Sequence, residues 1–182
     1  MAEQIKDGQG RGFLAGVTSE NRLKISGVAQ AQGYYANAEN TEAYHLVFSQ
    51  TPTDAADCFL YMKNSSDTDI VVEGIWFRVA SAEAVSVKLG DTGTASGTTA
   101  TPVNCNAGSA NEASGTFKTG NDITGLSGGT VVEKYWLTST ASLFLSFAQG
   151  IVLPKNATLT LWATTGAVAV AGTVVFNYYS ED

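Results

Sequence analysis

The sequence predicts an all-β protein, an antiparallel, jelly-roll-like β-sandwich preceded by an extended N-terminal arm. Three observations carry this. Eight to ten segments rich in β-branched and aromatic residues follow one another, separated by Pro, Gly, Asn, Asp and Ser. No stretch holds a helical period over twelve residues. Charged residues make up only 15% of the 182, with Gly, Ser, Thr, Ala and Asn in their place. That balance is common in turn-rich β proteins, and strands without intervening helices form sandwiches or jelly rolls.

The strands are read in order as YHLVFS (44–49), DCFLYMKN (57–64), DIVVEGIWFRVA (69–80) and AVSVKLG (84–90), then TVVEKYWLTS (130–139), SLFLSFAQGIVL (142–153), ATLTLWATT (157–165) and VAVAGTVVFNYY (168–179). Alternation assigns their faces. Leu159, Leu161 and Ala163 point one way and Thr158, Thr160 and Trp162 the other; Leu143, Leu145 and Phe147 share a face. In the last strand Val174, Phe176 and Tyr178 oppose Thr173, Val175, Asn177 and Tyr179, so both faces are partly apolar. NSSDTD reads as a hairpin loop, and Pro154 and Asn156 place a turn in LPKNAT. Residues 29–40 are the best helix candidate, weakened by Gly33.

Two regions break the rhythm. Residues 90–129 hold nine of the nineteen glycines; so long a connection is functional, mobile, or folded back with short strands of its own, one of them within TTATPVNC (98–105). The start differs in charge: residues 1–30 balance at +1 and residues 31–182 at −8. The expected organisation is an arm over 1–26, which ends in alternating apolar and basic residues, and a sandwich over 27–182 that includes the 90–129 loop region.

The formal charge of −7 argues against nucleic acid as a partner, because phosphate binding needs clustered Lys and Arg. No run is long and apolar enough for a membrane helix, and Met1–Gly10 lacks the apolar core of a signal peptide. Cys58 and Cys105 read as small hydrophobes, with a single bridge between them left open. No catalytic group is assigned: His45 stands alone in a strand, Glu73 and Glu133 read as solvent-face acids, and Asp67–Asp69 as a solvated turn. GDTGTASG (90–97) lacks the Lys-Ser/Thr of a phosphate loop. No Cys or His pair has zinc spacing, so no metal or cofactor is expected. Trp76, Trp136 and Trp162 all sit in strands, and parity singles out Trp162, with Tyr179 near the end of the chain, as a candidate for meeting a neighbour or ligand.

DGQGRGFLAGVTSENRLKISGV (7–28), LYMKNSSDTDIVVEGIWFRV (60–79) and GIVLPKNATLTLWA (150–163) together resemble small β-rich virion proteins of tailed bacteriophages. The resemblance implies a non-enzymatic structural protein, a capsid decoration or cement protein, that assembles in the host cytoplasm, forms a homotrimer and contacts the major capsid protein or another virion protein. The arm would then be an anchor, with Phe13, Leu14 and Val17 burying apolar surface on a partner and Arg11, Arg22 and Lys24 meeting acidic groups. The plainer alternative makes it a frayed terminus and a first strand. A second functional expectation is a receptor- or glycan-binding sandwich of a tail or fibre, using Trp162, neighbouring tyrosines and the 90–129 loop.

Overall fold

A computed structural model describes residues 16–17, 23–24, 36–37, 42–138 and 141–179. The chain divides into residues 1–31 and 32–182. In the first unit, strands β1 (Gly16–Val17) and β2 (Leu23–Lys24) form an antiparallel ladder pairing Gly16 with Lys24 and Val17 with Leu23. The helix candidate at 29–40 lies largely outside the described residues, of which Ala36 and Asn37 are helical.

The second unit is an all-β sandwich. Its long strands are β3 (Ala43–Gln50), β4 (Cys58–Asn64), β5 (Asp69–Val79), β6 (Glu83–Leu89), β12 (Thr130–Leu137), β13 (Leu143–Leu153), β14 (Thr158–Ala163) and β15 (Val170–Tyr179). Between β6 and β12 lie the short β7 (Thr92–Gly93), β8 (Thr98–Thr99), β9 (Val103–Asn104), β10 (Gly115–Thr119) and β11 (Leu126–Ser127). Every pairing is antiparallel. The sheet orders are β12-β6-β14-β4-β10-β8 and β13-β5-β15-β3-β9. Without the short strands, each sheet has four strands, and nearly every connection crosses from one sheet to the other. This is the strand order of an eight-stranded jelly roll.

Alternation explains the core. Leu46 and Phe48, Ile75 and Phe77, Val85 and Val87, Leu159 and Leu161, and Val174 and Phe176 all point between the sheets and are buried. Rings fill the middle: Phe176 lies 5.6 Å from both Tyr44 and Phe117, and Phe48 lies 5.7 Å from Phe59. Four of the described ladders carry a register shift, and two of these shape the core. At the start of β4 the register with β14 shifts between Cys58 and Leu60, so Phe59 and Leu60 both face the core while Cys58 faces out. In β5 the register with β15 skips Glu73, which returns Ile75 to the core side.

Two buried polar side chains tie the strand ends. Asn64 donates to the carbonyls of Thr68 and Leu153 at 2.9 and 2.8 Å and accepts from Ser66 N–H, closing the β4–β5 turn onto β13. Glu83 is buried at the start of β6. Its carboxylate accepts from the backbone N–H groups of Ala84, Thr164, Thr165 and Gly166 at 2.8–3.1 Å. Backbone donors around a buried carboxylate take the place of a cation. Glu83→Ala strands the N–H groups of Ala84, Thr165 and Gly166 and is expected to cost about 3 kcal/mol. Urea unfolding should show this as a lower midpoint at unchanged slope, with Glu83→Gln intermediate; a wild-type midpoint for Glu83→Ala would remove the assigned role.

Candidate functional site

A sandwich has two outer faces, and the chain treats them differently. Over the six-stranded sheet, residues 90–129 fold back as a belt. β7 and β11 pair with each other, Ile123 N–H donates to the Cys58 carbonyl, and Ala95 and Ile123 pack on Cys58 and Tyr61 beside Leu126 and Trp162. The belt then extends both sheets. β8 and β10 add to the six-stranded sheet beyond β4, and β9 adds to the other beside β3. The segment 98–105 therefore supplies two very short strands, one to each sheet.

Asp91 holds the belt down. It is 3% exposed, and its carboxylate accepts from Thr160 Oγ1 at 2.5 Å, Trp162 Nε1 at 3.3 Å and Gly129 N–H at 2.9 Å. Its carbonyl accepts from Thr158 Oγ1. A Cβ on Gly129 would lie 2.4 Å from the Asp91 carboxyl carbon, so only glycine lets the two ends of the belt come this close. Lys88 Nζ sits 3.6 Å from the centre of the Trp162 ring, a cation–π contact. Trp162 does leave the central core, as parity predicts, but its partners belong to its own chain. Half-buried and hydrogen-bonded, it serves the belt.

The outer face of the five-stranded sheet carries exposed apolar side chains. Phe144 on β13, Trp76 on β5, Thr173 on β15 and Val47 on β3 are lateral neighbours across four strands. Val47, Trp76 and Phe144 are 61%, 46% and 37% exposed. Trp76 and Phe144 touch, with ring centres 5.0 Å apart. Val103 and Val152 add to the exposed apolar surface of this sheet. Nearby, Asn177 Nδ2 donates to Glu73 at 2.8 Å. This face is the candidate functional site. Sequence reasoning named Trp76 but passed over it, although the alternation of Ile75, Trp76, Phe77 and Arg78 marks it as outward-facing.

The remaining candidates are dispersed. Arg11, Phe13, Leu14 and Arg22 lie outside the described residues, while Val17 and Lys24 fall on β1 and β2. Tyr179 is exposed at the end of β15. Trp136 is exposed on the edge strand β12, with Lys134 Nζ 5.4 Å from its ring centre. His45 is exposed on β3. Glu73 and Glu133 sit on strands of opposite sheets. Asp67 pairs with Lys155 at 2.5 Å on the surface, a contact of small energetic weight. Among the described residues, no three His, Cys, Asp or Glu side chains gather to hold a metal. Likewise, no described helix is long and apolar enough to cross a membrane.

Both cysteines are free. Burial pushes the Cys58 thiol up to about 12, and burial followed by the Glu73 charge raises that of Cys105. Thiolate is thus disfavoured at both, more strongly at Cys58. No protein-family model, curated protein or solved structure matches this chain.

The belt makes Cys58 a reporter. With a thiol reagent at about pH 8, the native protein should expose one reacting cysteine, Cys105, and release Cys58 only on unfolding. Asp91→Ala removes about 2 kcal/mol of hydrogen bonding and should speed Cys58 labelling roughly 30-fold. Unchanged Cys58 protection in that variant would show that apolar packing alone holds the belt.

Proposed function

We propose that this chain is a non-enzymatic structural protein of a tailed-phage particle, which decorates or stabilises the capsid through many repeated protein–protein contacts. The observation that carries the reading is the exposed row of Phe144, Trp76 and Val47 on a sheet face. Contiguous apolar surface of this kind marks an interaction site. The jelly-roll order supports it by analogy, since the architecture recurs in viral capsid domains. The resemblance carried by residues 7–28, 60–79 and 150–163 points the same way. In this reading the partners are the major capsid protein or another virion protein together with further copies of the chain. Contacts weak one at a time become effective in number.

The arm belongs to the same proposal. Full burial of Phe13 and Leu14 on a partner would contribute roughly 1.5–3 kcal/mol each, less the cost of ordering. A chain lacking residues 2–20 is expected to fold and yet fail to load fully onto particles; full loading would overturn the anchoring role.

A second reading, recognition of a receptor or glycan at a tail or fibre, is favoured by the Trp76–Phe144 pair, because aromatic faces stack on sugars and jelly rolls also occur in lectin domains. Copy number separates the two. Quantitative mass spectrometry of purified particles should find hundreds of copies in simple ratio to the major capsid protein. A few dozen would move the protein to the tail, and absence from particles would overturn the reading.

A further inference from the structure

We propose that the outer face of the five-stranded sheet binds the same face of a second copy of this chain, so that the assembling unit is a two-fold pair packed sheet to sheet. This deepens the assembly reading by assigning a surface and its occupant, and replaces the expected trimer with a pair. Four features of the face support it.

The first is relief. Gly74 carries no side chain, and the Phe144 ring occupies the space a Cβ would take, with Cζ 2.6 Å from that position. Phe144 thus lies over the β5 backbone against Trp76, and the two rings form a ridge. Beside the ridge runs the next lateral row, Arg78, Ala171 and Ser49, where the central side chain is a single methyl group. Here the surface opens into a shallow trough of about 400 Å³, walled by Trp76 and Val47.

The second is self-complementarity. Ridge and trough lie next to each other on one face. A two-fold axis lying in the plane between the facing sheets, parallel to these rows and running between them, lays the Trp76 of each copy into the trough of the other. Such an interface is isologous: what one residue contacts, its symmetry mate contacts in return. Trp76 then also meets the partner's guanidinium at Arg78, and Trp with Arg is the composition typical of interface hot spots.

The third is charge. The chain carries −7, so two copies repel over most of their surfaces. The row of Phe144, Trp76, Thr173 and Val47 holds no charge, Arg78 is cationic, and Glu73 is engaged by Asn177. This face brings two acidic molecules together without opposing carboxylates at its centre.

The fourth is area. Strand spacing and rise give the four long strands of this sheet a face of about 19 by about 27 Å, hence about 500 Å² per copy and about 1,000 Å² in all. That is the size a specific interface of good complementarity needs to reach, about 1,000 Å². A single small ligand would leave most of the face, Val47 and Val103 included, in water.

The test uses the purified full-length chain in sedimentation velocity and light scattering from about 1 to about 100 µM. The expected result is a dimer in this range. Trp76→Arg and, independently, Val47→Lys should weaken dimerisation by at least about 30-fold. Trp136→Ala, on the other sheet, should leave it unchanged. Two separate variants of exposed residues guard against one simply misfolding, and circular dichroism confirms the sandwich in each. A wild-type monomer at about 100 µM overturns the proposal, as does a trimer, or a dimer indifferent to both substitutions. A monomer that binds a glycan array through Trp76 also overturns it and assigns the face to sugar. None of these results bears on copy number in particles, so this proposal can fail while the particle reading stands.

Discussion

Everything in this fold follows from one constraint: almost every strand crosses to the opposite sheet, so all eight long strands share a single core. Each must then be apolar at alternate positions, and the residues between those positions are forced onto one of two outer faces. A chain with few charged residues cannot cover both faces with Lys and Glu. The six-stranded sheet solves the problem internally, by drawing residues 90–129 across Cys58, Tyr61 and Trp162. The five-stranded sheet is left with Trp76, Phe144 and Val47 in water.

Buried acids organise the fold, and neither of the two most important is neutralised by a direct ion pair. Glu83 is ringed by backbone N–H groups, and Asp91 by a hydroxyl, an indole and a backbone N–H. Such donors are fixed in direction, unlike a lysine ammonium on a flexible stem, so each carboxylate specifies geometry as well as charge balance. Glu83 sets the 164–166 turn against the start of β6. Asp91 sets the belt against β14, and the same contact orients Trp162 under Lys88. Two of the chain's seventeen acids are thus placed in the interior, at the joints between segments.

Most of the sandwich was legible in the sequence because alternation and turn chemistry are local signals. The eight long strands fall where β-branched runs and Pro, Asn or Asp turns place them, and the LPKNAT break closes through a hydrogen bond from Ala157 N–H to the Pro154 carbonyl, with Asn156 at φ 69°. What escaped local reading depends on partners distant in sequence. CFLYM shows no alternation, because the bulge at Phe59 sends two successive side chains inward. Trp162 has the parity of an exposed residue, and only a belt formed some 40–70 residues earlier determines that it is covered. Trp76 has the same parity and stays exposed because no segment of the described chain crosses its sheet in that way. Parity names the face; it does not say what lies on it.

That difference between the two tryptophans carries the functional argument further than either residue alone. The chain covers one outer face with a belt of its own, secured by a buried carboxylate and a glycine that admits no side chain. The other face has Gly74 beneath an aromatic ring and Ala171 at the centre of a trough. These small residues leave relief on the uncovered face, whereas on the covered face Gly129 removes it. A flat polar sheet would suffice for a free monomer. Relief with matched ridge and hollow stabilises only when another surface fills it, since exposed aromatic area otherwise costs solubility. In the assembly reading, the belt keeps one face closed and restricts association to the other, so copies meet in one defined arrangement and additive contacts lead to a closed unit.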